Sequence, residues 1–179
     1  MRFPRLFAYL QLTRPANVVT AIADIWAGFA IAGAWDDLLV DVALGGGSFW
    51  ANLAWLSLST IGLYAGGVAF NDVFDAKLDA VERPERPIPS GRADQKTAAW
   101  MSFLLLLMGV FAAAQVSMLS AGIATGVAVL AVVYDAWGKH QFWIGPINMG
   151  LCRTGNLLLG ISVSPILLEN YFLVGLIPL

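Results

Sequence analysis

The residues best suited to chemistry in this chain are Asn71, Asp72, Asp75 and Asp79, a polar run that interrupts a very apolar sequence. At about 100° per residue, a helix would set Asn71, Asp75, Asp79 and Asp72 at roughly 0°, 40°, 80° and 100°. One face then carries a carboxamide and three carboxylates, while Lys77 points to the far side. Like charges packed this closely repel, so the face is costly unless a cation neutralises it. Hard oxygen ligands suit Mg²⁺, which takes one or two carboxylates together with substrate phosphate oxygens. The plainer reading is a solvated loop whose acids meet the nearby arginines. The one-faced spacing, and the position at the end of an apolar segment, weigh against it. A second polar stretch, with Tyr134, Asp135, Lys139 and His140, returns to the same side. Acids for a divalent cation and bases for phosphate oxygens are what a diphosphate substrate needs.

The elements that must position these groups are membrane helices. The chain of 179 residues is 59% hydrophobic and 12% charged, with mean hydropathy +0.74. Soluble domains are nearer a quarter charged, so the composition is that of a membrane protein. Cys152 is the single cysteine and His140 the single histidine. They exclude an internal disulfide and argue against a soft-metal site. No nucleic-acid partner is expected. The N-terminal stretch is broken by Pro4 and lacks the pattern of a cleaved signal peptide.

Apolar spans are expected at residues 17–34, 53–70, 98–116, 118–133 and 147–168, with the start of a sixth at 171–179. Trp26 and Trp35 suit interfacial positions. Pro84, Pro87 and Pro89 forbid a continuous helix through the loop after the acidic run. Small residues such as Gly28, Gly33, Gly62, Gly66 and Gly67 suit close helix packing better than a ligand site. Arg2, Arg5, Arg14, Lys77, Arg83, Arg86, Arg92, Lys96 and Lys139 all fall on one side of this layout. The positive-inside rule makes that side cytoplasmic and puts the N-terminus and the acidic loop there, in a cell (inner) membrane.

Arg153 is the exception, about two turns inside the fifth span, and Asp24 lies at a similar depth in the first. Such residues face the bundle interior and are paired. A mutual ion pair, substrate contact by Arg153 and snorkelling to the interface are all open. Asn148 and Asn156 flank Arg153 and read better as helix–helix hydrogen-bonding groups than as cavity-lining ones. His140 reads as an interfacial residue.

Asn71-Asp72-x-x-Asp75-x-x-x-Asp79, followed by Arg83-Pro84-x-Arg86-Pro87-Ile88-Pro89-Ser90-Gly91, resembles the first aspartate-rich motif of the UbiA superfamily of intramembrane prenyltransferases. Thr13-Arg14-Pro15-x-Asn17, and Tyr134 through Lys139, add to the similarity. The wording of Tyr134-Asp135-Ala136-Trp137-Gly138-Lys139-His140 and the run from Asp75 to Glu85 look most like the EboC branch. The resemblance covers essentially the whole chain.

It implies an all-α transmembrane bundle that moves an isoprenyl group from a prenyl diphosphate to an aromatic or other lipophilic acceptor, using Mg²⁺. By similarity, Asn71, Asp72, Asp75 and Asp79 belong to the metal–diphosphate site. Arg14, Asn17, Arg86, Lys139 and Arg153 are candidates to bind the diphosphate, and Tyr134 and Lys139 to take part in catalysis. Departure of the diphosphate builds negative charge on it and positive charge on the allyl fragment. Metal and basic groups stabilise the first, and an aromatic face stabilises the second. Apolar spans would hold the tail and keep water from the cation.

The family also carries a second aspartate-rich motif. After Asp135 this chain has no aspartate, and its one later acid is Glu169. Residues 1–179 are therefore expected to be a single domain cut short at its C-terminus, holding half of the metal site. A non-catalytic isoprenoid-binding or metabolite-transport protein of the same family is the alternative. An alcohol phosphotransferase is not supported, because its Asp-Gly-x-x-Ala-Arg core is missing.

Overall fold

A computed structural model describes residues 3–35, 38, 47–141 and 143–164. Among them the secondary structure is helical: α1 (Phe3–Leu12), α2 (Pro15–Ile31), α3 (Ser48–Phe74), α4 (Ala76–Glu82), α5 (Gln95–Ala114), α6 (Met118–Ala136) and α7 (Ile144–Ile161), with a 3₁₀ turn at Gly138–His140 before α7. Three of these, α3, α5 and α6, are long and apolar enough to cross a membrane. The expected first span is α2, of 17 residues. The expected fifth is α7, which begins at Ile144 and ends at Ile161, earlier than residues 147–168. The expected sixth span and Glu169 lie outside the described residues.

Local chemistry explains where the helices start and stop. Pro4 does not break the N-terminal stretch, because it sits in the first turn of α1, where a missing N–H costs nothing. Pro15 opens α2 for the same reason, after Arg14, the one non-glycine residue with positive φ among those described. At the far end of α2, Gly33 takes φ 63°. Ala34 N–H then donates to Phe29 O at 3.2 Å and Gly33 N–H to Ala30 O at 3.1 Å, a Schellman ending. Gly33 is thus a helix stop. Asp94 caps α5, its carboxylate accepting from Thr97 N at 2.8 Å and Thr97 Oγ1 at 2.9 Å. Ser117 caps α6 by accepting from Ser120 N at 3.0 Å.

Helix α3 is the centre of the bundle. It packs most extensively on α5 and also meets α2 and α6, while α7 closes the ring between α2 and α6. The α3–α5 contact depends on glycine. A Cβ on Gly62 would lie 2.6 Å from Leu105 O, and one on Gly109 would lie 2.8 Å from Ser59 O. The α2–α7 crossing uses Gly28 and Gly160 in the same way, a Cβ on Gly28 falling 2.7 Å from Gly160 Cα. Phe29, Phe49, Leu53, Leu56, Ile25 and Leu159 fill the core on the side away from the acidic run. Trp100, Leu104 and Phe111 of α5 face outward, as lipid contact requires.

At 1.5 Å per residue, the 27 residues of α3 reach about 40 Å, more than the roughly 30 Å hydrocarbon core. The excess carries Asn71 and Asp72 to the membrane edge. The helical path continues through Asp75 into α4, because Asp75 N–H donates to Asn71 O at 2.9 Å and Asp79 N–H to Asp75 O at 2.8 Å. The one-faced acidic run is therefore real.

Candidate functional site

A cavity of about 410 Å³ opens between α2, α3, α6 and α7. Its α3 wall is a helical stripe, Thr60, Tyr64, Gly67 and Asn71, spaced by four, three and four residues. Arg14, Asn17 and Asp24 line it from the α2 side, Tyr134 and Asp135 from α6, and Arg153 and Asn156 from α7. Apolar groups, among them Leu63, Val68, Val127 and Ala131, make up much of the remaining surface.

The acidic run borders this cavity as an ion network. Arg14 Nη2 donates to Asp72 Oδ1 at 2.8 Å, and Arg86 Nη1 reaches the same oxygen at 3.2 Å. Arg86 also donates to Asp79 Oδ2 at 2.7 Å. On the neighbouring face Lys139 Nζ donates to Asp75 Oδ1 at 2.6 Å and to Asn71 Oδ1 at 3.3 Å. Asp72, Asp75 and Asp79 are all largely buried. Burial works against the charge on Arg86, yet the Asp79 hydrogen bond and the charges of Asp72, Asp79 and Asp75 outweigh it and raise its pKa above the ordinary guanidinium value. The proline-rich turns make this possible. Arg86 N–H bonds Arg83 O at 3.0 Å and Ser90 N–H bonds Arg86 O at 3.0 Å, folding the guanidinium back over α3. Lys139 arrives through the 3₁₀ turn, where Gly138 and Gly145 pack closely.

The sequence-derived residues thus form two neighbouring groups. Arg14, Asn71, Asp72, Asp75, Asp79, Arg86 and Lys139 make the network. Asn17, Tyr134 and Arg153 line the cavity that it borders. Among the described residues, no three acidic, thiol or imidazole groups converge closely enough to hold a metal by themselves. Each network carboxylate instead gives one oxygen to a basic side chain. The second oxygens of Asp72, Asp75 and Asp79 make no hydrogen bond among the described residues. Arg153 Nη2 stands 3.6 Å from Asp24 Oδ1, with its side chain 60% exposed, so the pair is loose. Asn156 is a helix-to-helix link and a cavity-lining residue at once. It accepts from Thr60 Oγ1 at 2.6 Å and donates to Ala21 O at 2.9 Å.

Sequence reasoning placed Asp135 in a polar loop, whereas it ends α6 as a buried residue of the cavity wall. It also missed Thr60 and Tyr64. Their spacing to Asn71, a polar stripe inside an apolar span, was the available signal.

The sequence matches the UbiA prenyltransferase family over residues 18–177. A protein of Ignicoccus hospitalis named digeranylgeranylglyceryl phosphate synthase is 33% identical over 156 residues, 87% of this chain and 47% of that protein. One of the same name from Methanopyrus kandleri is 38% identical over 157 residues, 88% of this chain and 53% of that protein. A solved structure described as giving structural and mechanistic insights into digeranylgeranylglyceryl phosphate synthase in membranes has the same fold. Its TM-score is 0.80 at 24% identity, over 96% of this chain and 58% of that one. The chain spans about half the length of the curated relatives it matches. These similarities reach the family and the fold, and the EboC branch stays an expectation from sequence.

Proposed function

Because the chain belongs to the UbiA prenyltransferase family and is an integral membrane protein, we propose that it forms the diphosphate-binding part of an intramembrane prenyltransferase. The reaction moves an isoprenyl group from a prenyl diphosphate to a lipophilic acceptor. The observation that supports this best is the joining of two unlike environments. An ion network of Arg14, Arg86 and Lys139 with Asp72, Asp75 and Asp79 borders a largely apolar cavity. A prenyl diphosphate has the same division, with a charged head and a greasy tail.

UbiA-type prenyltransferases generally use a divalent metal, and Mg²⁺ is the metal proposed here. Asn71, Asp72, Asp75 and Asp79 offer hard oxygens, and the unengaged carboxylate oxygens are free to take part. No ready-made cluster is needed, since Mg²⁺ keeps waters and shares its ligands with substrate phosphates. When bound, the metal neutralises charge on the diphosphate.

The chain's own residues do the rest. Arg14, Arg86 and Lys139 exchange carboxylate partners for phosphate oxygens, which accept charge-assisted hydrogen bonds. Asn17 and Arg153 add contacts along the cavity. As the carbon–oxygen bond to the diphosphate lengthens, these donors stabilise the leaving charge. The ring of Tyr134 faces the allylic cation that develops, and the apolar walls keep water away from it.

Binding of farnesyl diphosphate to the full-length protein tests this reading. Wild type should bind in Mg²⁺ and release in chelator, and Asp75→Ala should bind in neither condition. Unchanged binding with and without chelator would sink the metal assignment. Metal-dependent binding without product, over a panel of acceptors, would move the protein to the non-catalytic isoprenoid-binding reading.

A further inference from the structure

Helix α1 has two apolar faces. At about 100° per residue, Ala8 and Leu12 fall on one side of it and Leu6, Phe7 and Leu10 on the other. Ala8 and Leu12 are fully buried, packed with Ala69 near the end of α3, Ala93 just before α5 and Ala98 in its first turn. Leu6, Phe7 and Leu10 are each more than half exposed. The neighbours of α1 fix its depth, since the last turns of α3 stand at the membrane edge. Trp100, on the same stretch of α5 as Ala98, faces outward, and tryptophan gathers at the membrane–water interface. A helix at that depth with an outward apolar stripe has the acyl boundary as its natural partner.

Arg5 and Tyr9 occupy the seam between the two faces. With Arg92, Asp94 and their neighbours they line a second cavity, of about 450 Å³. The bases there differ from those of the acidic network, where Arg14, Arg86 and Lys139 each hold a carboxylate. Arg5 makes no hydrogen bond or ion pair among the described residues. Arg92 donates to Ser90 Oγ at 3.0 Å, Gln11 Oε1 at 2.9 Å and Glu85 O at 2.6 Å, all neutral oxygens. Its guanidinium is thus positioned but not neutralised. Asp94 is the acid on this wall, and its Oδ2 is taken by Thr97 N and Oγ1. Tyr9 Oη accepts from Asp94 N–H at 3.1 Å, which leaves its own proton for a ligand. Two arginines with unanswered charge around one cavity suit a phosphate, whose oxygens match the guanidinium fork in pairs.

We propose that α1 lies in the membrane interface and that the cavity at its seam binds the phosphate of an anionic phospholipid headgroup. Arg5 and Arg92 pair with the phosphate oxygens, Tyr9 Oη donates to one of them, and the acyl chains run along Leu6, Phe7 and Leu10. The ligand is a lipid and not a soluble phosphate because the cavity adjoins that apolar stripe. A zwitterionic headgroup would bring a further cation beside two arginines, so the anionic one fits. Bound there, the lipid ties α1 to the loop that carries Arg86. Such a site is independent of the reaction at the main cavity.

The test uses the full-length protein and native mass spectrometry, with dioleoyl phosphatidylglycerol and dioleoyl phosphatidylcholine offered in equal amounts. Wild type should retain phosphatidylglycerol in preference by about tenfold or more, since each arginine near a lipid surface contributes about fivefold. Arg5→Gln should lower that preference by about fivefold, and it should fold, because Arg5 has no partner within the protein to lose. The Arg5→Gln, Arg92→Gln double variant should abolish the preference. Lys77→Gln with Arg83→Gln removes the same charge at exposed positions of α4 and its end, outside the cavity, and should keep it. Equal retention of the two lipids by wild type, a preference that survives the Arg5, Arg92 variant, or an equal loss in the Lys77, Arg83 variant would overturn the proposal. Excess inorganic phosphate should leave the lipid bound. Displacement by it would give the cavity to a soluble phosphate and overturn the lipid assignment. The placement of α1 has its own readout. With Cys152 replaced by Ser, a nitroxide on a cysteine at Phe7, in phosphatidylglycerol nanodiscs, should be more accessible to oxygen than to a water-soluble nickel chelate. The reverse order would put α1 in water, and shielding from both reagents would put protein over that face. Either result would overturn the proposal.

Discussion

Lys139 Nζ lies 2.6 Å from Asp75 Oδ1, a bond that ties the turn after α6 to the end of α3 across 64 residues of sequence. Both side chains are largely buried, at 11% and 18% exposure, so neither charge is well solvated without the other. Lys139→Ala should therefore destabilise the protein by about 3–5 kcal/mol, the cost of leaving a buried charge without its partner. The Asp75→Ala, Lys139→Ala double variant should recover much of that loss. Thermal unfolding in detergent, run as a double-mutant cycle, measures the coupling. Strictly additive single losses would mean that the contact carries no energy.

The α3–α5 crossing makes a sharper mechanical prediction. Gly109→Ala would place a methyl group 2.8 Å from Ser59 O and 2.9 Å from Leu63 Cγ. A helical Gly→Ala exchange gains up to about 1 kcal/mol of propensity. Overpacking against a backbone oxygen costs about 1–3 kcal/mol, because the neighbouring helix must shift to relieve it. Packing wins, and the variant should melt at lower temperature. Gly122→Ala is the control, since a Cβ there meets nothing within 4 Å. It should leave the protein unchanged or slightly more stable.

How far the sequence reaches can be judged from these same residues. The acidic face was legible because its order parameter is spacing on one helix, and helical hydrogen bonds do run through Asp75. Of the spans around it, α3, α5 and α6 were legible from apolar length alone. Helix α1 was not, because Pro4 reads as a breaker unless it is known to stand in a first turn. Nor could spacing show which base answers which acid. Arg14 reaches Asp72 across 58 residues, and Lys139 chooses Asp75 over the Asp135 four residues before it. Such choices depend on how helices lie against one another. Asp135 Oδ2, buried without a hydrogen-bond partner among the described residues, is a consequence of that competition and leaves no trace in local sequence.

The cap of α5 gives the fold a measurable acid dependence. Hydrogen bonds from the Thr97 backbone N–H and then its hydroxyl hold the Asp94 carboxyl below its usual value of 3.8. The folded pKa is depressed, so the unfolded chain binds the proton more readily. The contribution to stability is present above the usual value and is lost as pH falls through the depressed folded one. Asp94→Asn keeps a side-chain oxygen for the cap but removes the titration. Its unfolding free energy should vary less steeply with pH in the acid range than that of wild type. Parallel profiles for the two proteins would show that Asp94 contributes nothing to the slope.

Orientation in the membrane can be tested without any ligand. The basic residues Arg14, Arg86 and Lys139 pair with the acidic run, whereas the connection at residues 36–47 holds acids and no Lys or Arg. Positive charge near span ends marks the cytoplasmic side, so the acidic run and its network should face the cytoplasm. With Cys152 replaced by Ser, a cysteine at Gly46, which lies outside the described residues, should react with an impermeant maleimide on intact cells. One at Arg92 should react only after the membrane is opened. Arg92 is a suitable site because it is only half-buried and its bonds, to Glu85 O at 2.6 Å, Gln11 Oε1 at 2.9 Å and Ser90 Oγ at 3.0 Å, lie at the exposed surface of the loop. The opposite labelling pattern would put the ion network outside the cell. A prenyl diphosphate made in the cytoplasm could then not reach it, and the proposed reaction would have to be abandoned for that orientation.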